Sequence, residues 1–295
     1  MSNDLFNSAV QNLDTLTKAG IFGDVSQNLL MKREKVSTQE FNYLSFLSIY
    51  DDPEFDQQTI PYTLAFMDLF TKAMLADSES LKHIMTASWM GTKELPQLET
   101  MSSYTRFLTE HRSVRNVSIR LSDESDVDAL QRIELAHAIL HDYANGFEYC
   151  MKLFTFILAV EQIIKGKKYD LQLNDKQPSS NKLNLFRQLD GGEHSLLVDG
   201  WDDRLRNADS HIDILYNPQT FRFEGKNKYY EKVGSTKVLR NEEFTVTPAE
   251  LLTNITPQVG RFIQGYIGAS QLLYLVKEGR EYYNKAASLL EELSD

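Results

Sequence analysis

The chain has 295 residues, 42% of them hydrophobic and 25% charged, which is typical of a globular protein with one large domain or two modest ones. Its net charge of −11 argues against a general nucleic-acid coat, because phosphate binding needs clustered lysine and arginine, so an RNA-binding role would require a specific motif. The sequence has no apolar run of about 18 residues, no recognisable signal peptide and a single cysteine, so we expect a cytoplasmic protein without membrane spans or disulfides.

The first 122 residues predict an N-terminal helical region whose role the sequence does not indicate. Apolar residues recur there at three- and four-residue steps, and this periodicity predicts helices over 4–19, 37–50, 61–76, 78–90 and 98–112. Ser37 or Thr38 opens the second of these helices, with Glu40 close behind. Residues 113–125 are polar and lack clear periodicity, so we place a domain boundary after residue 122.

The second predicted domain, 123–295, begins with the strongest periodic signal of the chain. An apolar stripe from Val127 to Lys165 predicts one helix, about 55–60 Å long, that would form the spine of a bundle. Gly146 is a candidate position for a kink in it. Residues 166–181 are polar and predict a loop, and a short helix over 182–190 should end at the following glycine pair.

After residue 218 the pattern changes to β-branched and aromatic residues with turn signals, which predicts a small β-ribbon near 220–246. Thr247-Pro248-Ala249-Glu250 matches a capping box with proline at the first helical position, and it should start a helix that leads to a final one at about 257–291. The expected fold class is therefore mainly α: a helical bundle with a small β-ribbon, preceded by an N-terminal helical region.

Between these elements lies a densely polar stretch, RLRNADSHIDI, at 204–214. When residues 201–216 are treated as a helix with about 100° per residue, the stretch divides into two faces. One face is apolar and carries Trp201, Leu205, Ala208, Ile212, Leu215 and Tyr216. The opposite face carries Arg206, Asn207, Ser210 and His211. Ile214 falls among these polar residues, which indicates that a neighbour partly covers this face.

These residue types suit the cleavage of a phosphodiester without a metal. Histidine titrates near neutral pH and can take a proton from a ribose hydroxyl or give one to a leaving oxygen. Arginine binds phosphate oxygens with a planar fork, and asparagine can orient either group. The bare spacing is not specific, since RFLTEH at 106–111 and RIELAH at 132–137 repeat it. RNADSH differs from both in the small and polar residues between its arginine and its histidine.

The hexapeptide RNADSH at 206–211 resembles the R-polar-x-x-x-H signature of the HEPN superfamily, and the resemblance extends over roughly residues 125–295. In that family the motif lies late in a helical bundle, after a long helix hairpin. Many bacterial members continue with a short ribbon and a helix, similar to HIDILYNPQTFRFEG…FTVTPAELL here. Residues 1–120 match nothing that we can name.

The resemblance implies a metal-independent endoribonuclease that needs no cofactor, and many members of the family are toxins or anti-phage defence effectors. If the residue roles of the family apply to this chain, Arg206 would bind the scissile phosphate, His211 would be the general acid/base, and Asn207 would position them. Because family sites are composite, we expect a homodimer with the two motif helices facing each other. The expected partners are an RNA substrate, with tRNA as one candidate, and an antitoxin or a defence protein.

Two other interpretations stay open on the sequence alone. A HEPN-like bundle can be a non-catalytic dimerisation or nucleotide-binding module, and RNADSH can be a plain solvated helix face. Ser210, Lys226 and Lys228 are candidate substrate contacts, although lysines are also common on solvated ribbons. Glu134, His137 and His141 lie along one side of the long helix, but a metal site in a bundle needs a second such motif. We therefore expect structural histidines there and no metal.

Overall fold

The structure is a computed structural model that describes residues 4–52, 55–122, 127–210, 213–234 and 236–294, without the side chains of Ile119, Ser122, Ser210, Glu231 and Lys232. The described chain is mainly helical and includes a three-stranded antiparallel sheet. This confirms the predicted fold class of a helical bundle with a small β-ribbon.

The N-terminal part consists of helices, most of which follow the predicted periodicity. They are α1 (Asp4–Lys18), α2 (Gly23–Lys32), α3 (Thr38–Tyr50), α4 (Ile60–Met90) and α5 (Met101–Ser122). The Ser37 side chain caps α3 by accepting a hydrogen bond from the backbone N–H of Glu40 at 3.1 Å. The two helices predicted over 61–76 and 78–90 form the single element α4, interrupted at Asp77, where φ is −159° and ψ is 91°.

This part differs from the predicted elements in two places. α2 was not predicted, and it is a short helix whose start has no side-chain cap. The polar stretch after residue 112 is helical as far as Ser122, so α5 continues well past its predicted end. Among the described side chains of this extension, Val114 and Leu121 are buried. They lie seven residues apart and so share one face, which is too sparse a pattern to predict a helix.

The remaining α-helices among the described residues are α6 (Ala129–Ile164), α7 (Leu171–Asp175), α8 (Ser179–Asp190), α9 (Asp203–Ser210), α10 (Pro248–Glu250), α11 (Thr256–Glu278) and α12 (Arg280–Ser294). The long predicted helix is confirmed as α6, and the predicted capping box is present at Thr247 and Glu250. Two details differ from expectation. The loop predicted over 166–181 contains α7, and the final helix is divided after Glu278, at Gly279, into α11 and α12.

The sheet has the strand order β1 (Ile214–Asn217), β2 (Arg222–Val233) and β3 (Thr236–Val246). Tyr216 lies opposite Phe223, and Phe223 lies opposite Val246, so one face of the sheet is apolar at this end. Gly225 lies opposite Phe244, and the aromatic ring fills the space that a Cβ at residue 225 would need. The predicted ribbon is thus the long β2–β3 hairpin.

The chain forms two compact units that are interleaved in sequence. Unit 1 takes its residues from 1–105, 150–199 and 260–295, and unit 2 takes its residues from 106–149 and 200–259. The boundary predicted after residue 122 falls inside the first segment of unit 2, and the division into an N-terminal region and a HEPN-like domain remains a prediction.

Each unit has its own aromatic core. In unit 1, Phe262 stands edge-on to Phe66 with ring centroids 5.1 Å apart and stacks on Phe154 at 5.3 Å. In unit 2, Phe147 of α6 packs edge-on against Trp201 at 5.7 Å, just before the motif helix α9. The Trp201 contact therefore places the start of the motif helix against α6.

Candidate functional site

The helix that carries the motif, α9, is shorter than predicted. It begins at Asp203 and ends at Ser210, and Ile214–Asn217 is strand β1 rather than a continuation of the helix. Ile214 therefore does not lie on the polar face of this helix and gives no indication that a neighbour covers that face. Leu215 does not lie on its buried face either, and is 68% exposed.

Within its observed bounds, α9 has the two predicted faces. Leu205 and Ala208 are each 1% exposed and anchor the helix, which packs against β2. Arg206 and Asn207 are partly exposed on the other side. His211 and the side chain of Ser210 lie outside the described residues, so the roles predicted for them remain predictions.

The guanidinium group of Arg206 is held by two neighbours. Its Nε donates to the Oε1 atom of Glu148 on α6, and its Nη1 donates to Oδ1 of Asn207 at 3.1 Å. We find no hydrogen bond from Nη2 to any described residue. Since Arg206 remains 31% exposed, its outer edge can still receive a phosphate oxygen. Glu148 was not anticipated, because it lies 58 residues before Arg206 in the chain.

The second arginine of the stretch, Arg204, has a different environment. Its Nε and Nη2 donate to the two carboxylate oxygens of Asp202, at 2.9 and 2.8 Å, and its Nη1 donates to Glu242 on β3 at 3.1 Å. The guanidinium also lies 5.4 Å from the ring centre of Phe244. The hydrogen bonds to Asp202 raise the pKa of Arg204. Arg204 thus fastens α9 to β3, and Arg206 is the better candidate for binding a ligand.

A recess opens beside the motif, and we call it the motif recess. It is lined by Asn207, Asp213, Lys226 and Lys228 and has a volume of about 390 Å³. Lys228 Nζ lies 2.9 and 3.1 Å from the carboxylate oxygens of Asp213. Backbone hydrogen bonds connect two of its lining residues to the neighbouring chain: Asp213 N–H donates to the carbonyl of Ala208, and Lys226 N–H donates to the carbonyl of Asp213. The structure thus brings together three of the predicted site residues, Asn207, Lys226 and Lys228.

A histidine of α6 also reaches the motif. Nδ1 of His141 lies 3.4 Å from Oδ2 of Asp209, and 59% of the His141 side chain is exposed. The sequence had marked His141 only as a neighbour of Glu134 and His137, and it gave no indication of a contact with the motif 68 positions later.

A second histidine–carboxylate pair lies in the same unit, between α5 and α6. His111 Nδ1 is 2.9 Å from Oδ2 of Asp142, which is almost fully buried. This hydrogen bond, supported by the carboxylate charge, raises the pKa of His111. His111 closes the RFLTEH hexapeptide that shares the motif spacing, and its bond to Asp142 gives it a structural role.

One group of described residues in unit 1 has the spacing of metal ligands: Asp190, Glu193 and His194, whose ligand atoms lie within 4.8 Å of one another. His194 is buried between carboxylates, with Nδ1 2.5 Å from Asp190 and Nε2 2.9 Å from Asp68. The ammonium group of Lys72 contacts both Asp68 and Glu193. Since this cation already neutralises part of the cluster, we interpret it as an ion-pair network.

Comparison of the chain with family models, with curated proteins and with solved structures finds no match. The HEPN resemblance therefore rests on the motif and its setting. In the part of the chain that the structure describes, no helix combines the length and the apolar character needed to cross a bilayer.

Proposed function

We propose that the protein is a metal-independent endoribonuclease of HEPN type, which acts in the cytoplasm as a toxin or anti-phage defence effector. The observation that carries the proposal is the arrangement around Asn207. Its Oδ1 accepts a hydrogen bond from Arg206, and the same residue lines the motif recess with Lys226 and Lys228. A phosphate-binding arginine, an orienting amide and two lysines therefore converge on one partly exposed surface, as binding of an RNA backbone requires.

In the proposed reaction, the ribose 2′-oxygen attacks the adjacent phosphorus and the bond to the 5′-oxygen breaks. Arg206 binds the nonbridging oxygens, on which negative charge increases in the transition state. Asn207 fixes the orientation of that guanidinium, and His211 transfers protons. The products carry a 2′,3′-cyclic phosphate and a 5′-hydroxyl group. None of these steps uses a metal ion.

Acidic residues close to the motif would repel RNA unless their charges are balanced. Asp213 is balanced by Lys228, at 2.9 Å, and Asp209 faces the imidazole of His141, at 3.4 Å. Lys226 lies 3.7 Å from Glu243 and Lys228 is paired with Asp213, so RNA phosphates would have to share both ammonium groups with carboxylates.

A second candidate function is a non-catalytic HEPN-like module for dimerisation or nucleotide binding. The observation that favours it is the Glu148 carboxylate on the Arg206 guanidinium. Phosphate would have to share Arg206 with this carboxylate, and in a structural module the pair would simply link α6 to α9. Glu148→Gln separates the two, since it should strengthen RNA binding in a nuclease and only change stability in a structural module.

The proposed nuclease would act as a homodimer, in line with the composite sites that the family resemblance implies. A two-fold interface that apposes the α9 helices would double every group on their polar faces. Light scattering at micromolar concentration measures the oligomeric state, and a monomer would contradict this part of the proposal. An antitoxin or defence protein remains the proposed regulatory partner.

The test is cleavage of total RNA and of purified tRNA by the protein in excess EDTA. Cleavage should persist in the chelator, and His211→Ala should lower its rate by about two to four orders of magnitude. Arg206→Lys should also fail, because lysine keeps the charge but loses the planar fork. Asp199→Asn serves as a matched control, since Asp199 is an exposed residue of unit 1. Cleavage that disappears in EDTA, or that survives His211→Ala, would reject the proposal.

A further inference from the structure

A groove with a volume of about 340 Å³ runs between α2 and α3 in unit 1. Four residues of α2 line one side of it: Val25, Asn28, Leu29 and Lys32. Their spacing of three and four residues puts them on a single face of the helix, over two turns. Val25 is 57% exposed, and no side chain of α2 is buried. This face of α2 is therefore largely open to solvent.

The facing wall belongs to α3 and repeats the same spacing. It consists of Leu44, Leu47, Ser48 and Asp51, the residue that directly follows the helix, and Asp52 extends it. The two leucines are only partly buried. Together with the two aliphatic residues of α2, they make the middle of the groove apolar, so covering it with another apolar surface would be favourable.

Helix α1 packs against α2 but does not cover the groove. Asp14 of α1 pairs with Arg33 at 2.6 Å, and the carbonyl oxygen of Lys18 accepts a hydrogen bond from the Gln27 side chain at 2.8 Å. Neither Arg33 nor Gln27 lines the groove. Among the described residues, the lining comes only from α2, α3 and the two aspartates after α3, so the groove is available to another molecule.

The groove has a positive end and a negative end. The short connection from Lys32 to Thr38 makes α2 and α3 an antiparallel hairpin, so the last residue of α2 lies far from the residues that follow α3. Lys32 therefore lies at one end, and Asp51 and Asp52 lie at the other. All three residues are exposed. Lys32 and the carboxylate of Asp51 form no ion pair with any described residue, so both charges are open to a partner.

We propose that this groove is a self-association surface, against which the α2–α3 hairpin of a second copy of the chain packs. A two-fold axis that runs across the groove reverses its ends, so Lys32 of each copy meets Asp51 and Asp52 of the other. An axis along the groove would oppose like charges instead, so the charges select one orientation. The apolar middles of the two grooves then face each other and lose their contact with water. The surface lies in unit 1, and the inference does not depend on the proposed ribonuclease function.

Sedimentation velocity of the full-length protein over micromolar concentrations tests the proposal, since two hairpin faces form a small interface and should associate weakly. One variant is Lys32→Glu, and the other combines Asp51→Lys with Asp52→Lys. Each variant alone puts like charges at both contacts of the pair, whereas a mixture of the two joins opposite charges at both. The matched control is Lys82→Glu, which makes the same charge change at an exposed residue of α4 outside the groove.

We expect the wild type to associate reversibly and each groove variant to weaken that association by at least about 10-fold. The equimolar mixture of the two variants should recover the wild-type affinity, and Lys82→Glu should match the wild type. Net charge alone predicts a different result. The two aspartate substitutions make the net charge of −11 less negative, so general repulsion between copies would decrease and association would strengthen.

Three results would each overturn this interface: a monomeric wild type, a Lys32→Glu protein that associates as tightly as the wild type, or a mixture that fails to recover the loss. The α9 pairing proposed for unit 2 would add an association step that no groove variant changes. RNA cleavage does not enter the measurement, so an absence of cleavage in EDTA would reject the ribonuclease and leave the groove proposal intact.

Discussion

Gly146, near the middle of α6, is so closely surrounded that a methyl group does not fit there. An added Cβ would lie 2.4 Å from Cγ1 of Val259 and 2.9 Å from Cε2 of Phe107. Val259 is 1% exposed and Phe107 is 5% exposed, so neither side chain can move freely out of the way. The residue that the sequence marked as a candidate kink is thus a point of close packing within unit 2.

Two opposing effects decide the outcome of Gly146→Ala. Alanine is better than glycine in a helix interior by about 1 kcal/mol. Forcing an additional methyl group into a packed core costs about 1–3 kcal/mol. Because two buried neighbours are struck here, the cost should fall at the upper end of that range. We therefore expect a net loss of about 1–2 kcal/mol in the free energy of unfolding.

Gly260→Ala is the matched control, because Gly260 is also inside a helix, α11, but nothing lies within 4 Å of the position of its added Cβ. Without a clash, only the helix preference remains, so this variant should gain about 0.5–1 kcal/mol. Urea unfolding, followed by far-UV circular dichroism, measures both changes. If Gly146→Ala were as stable as Gly260→Ala, the close packing described around Gly146 would be refuted.

Three further predictions concern unit 2. Leu205→Ala should cost about 2–5 kcal/mol of stability in the same urea assay, because Leu205 is 1% exposed, whereas a cost below about 1 kcal/mol would contradict the buried face of α9. Charge reversal of both Lys226 and Lys228 should weaken RNA binding and lower the slope of log affinity against log salt by about 0.7 per lost phosphate contact. An unchanged slope would indicate that the ribbon has a purely structural role. Since the bond to Asp142 raises the pKa of His111, its contribution to stability is complete below the ordinary histidine pKa of about 6.5 and is lost as the pH rises through the raised value. Above about pH 6.5, the stability of His111→Gln should decline less than that of the wild type. An equal decline in the variant and the wild type would contradict a stabilising His111–Asp142 hydrogen bond.

The sequence predicted those elements whose signals are local. α6 has an uninterrupted apolar stripe, and the cap of α3 lies within four residues, so both could be recognised without knowledge of the rest of the chain. β1 was mistaken for helix because Leu215 and Tyr216 also fit the apolar arc of a helix that begins at residue 201. What makes Ile214–Asn217 a strand is its pairing with Arg222–Gly225, and a helical period within one window does not detect such pairing.

The residues of the candidate site divide in the same way, into those that a local sequence pattern indicates and those that only the fold brings to the motif. Arg206, Asn207 and the ribbon lysines were predicted as site residues from their residue types and their order along the chain. Glu148 and His141 were not placed at the motif, because they belong to α6 and meet α9 only through the packing of two distant helices. A carboxylate or an imidazole on a long amphipathic helix carries no sequence signal for the partner that it will meet.

The interleaving of the two units has a consequence for synthesis on the ribosome. Unit 1 needs its last segment, 260–295, yet its first segment, 1–105, emerges long before. At about 5–20 residues per second, the first segment would wait roughly 10–30 s for the last one. During that interval Phe66 of α4 lacks Phe262 and Tyr266, the aromatic partners that later enclose it. The nascent chain therefore exposes apolar helix faces for a period in which a chaperone can bind them, and unit 1 can close only after residues 260–295 have been synthesised.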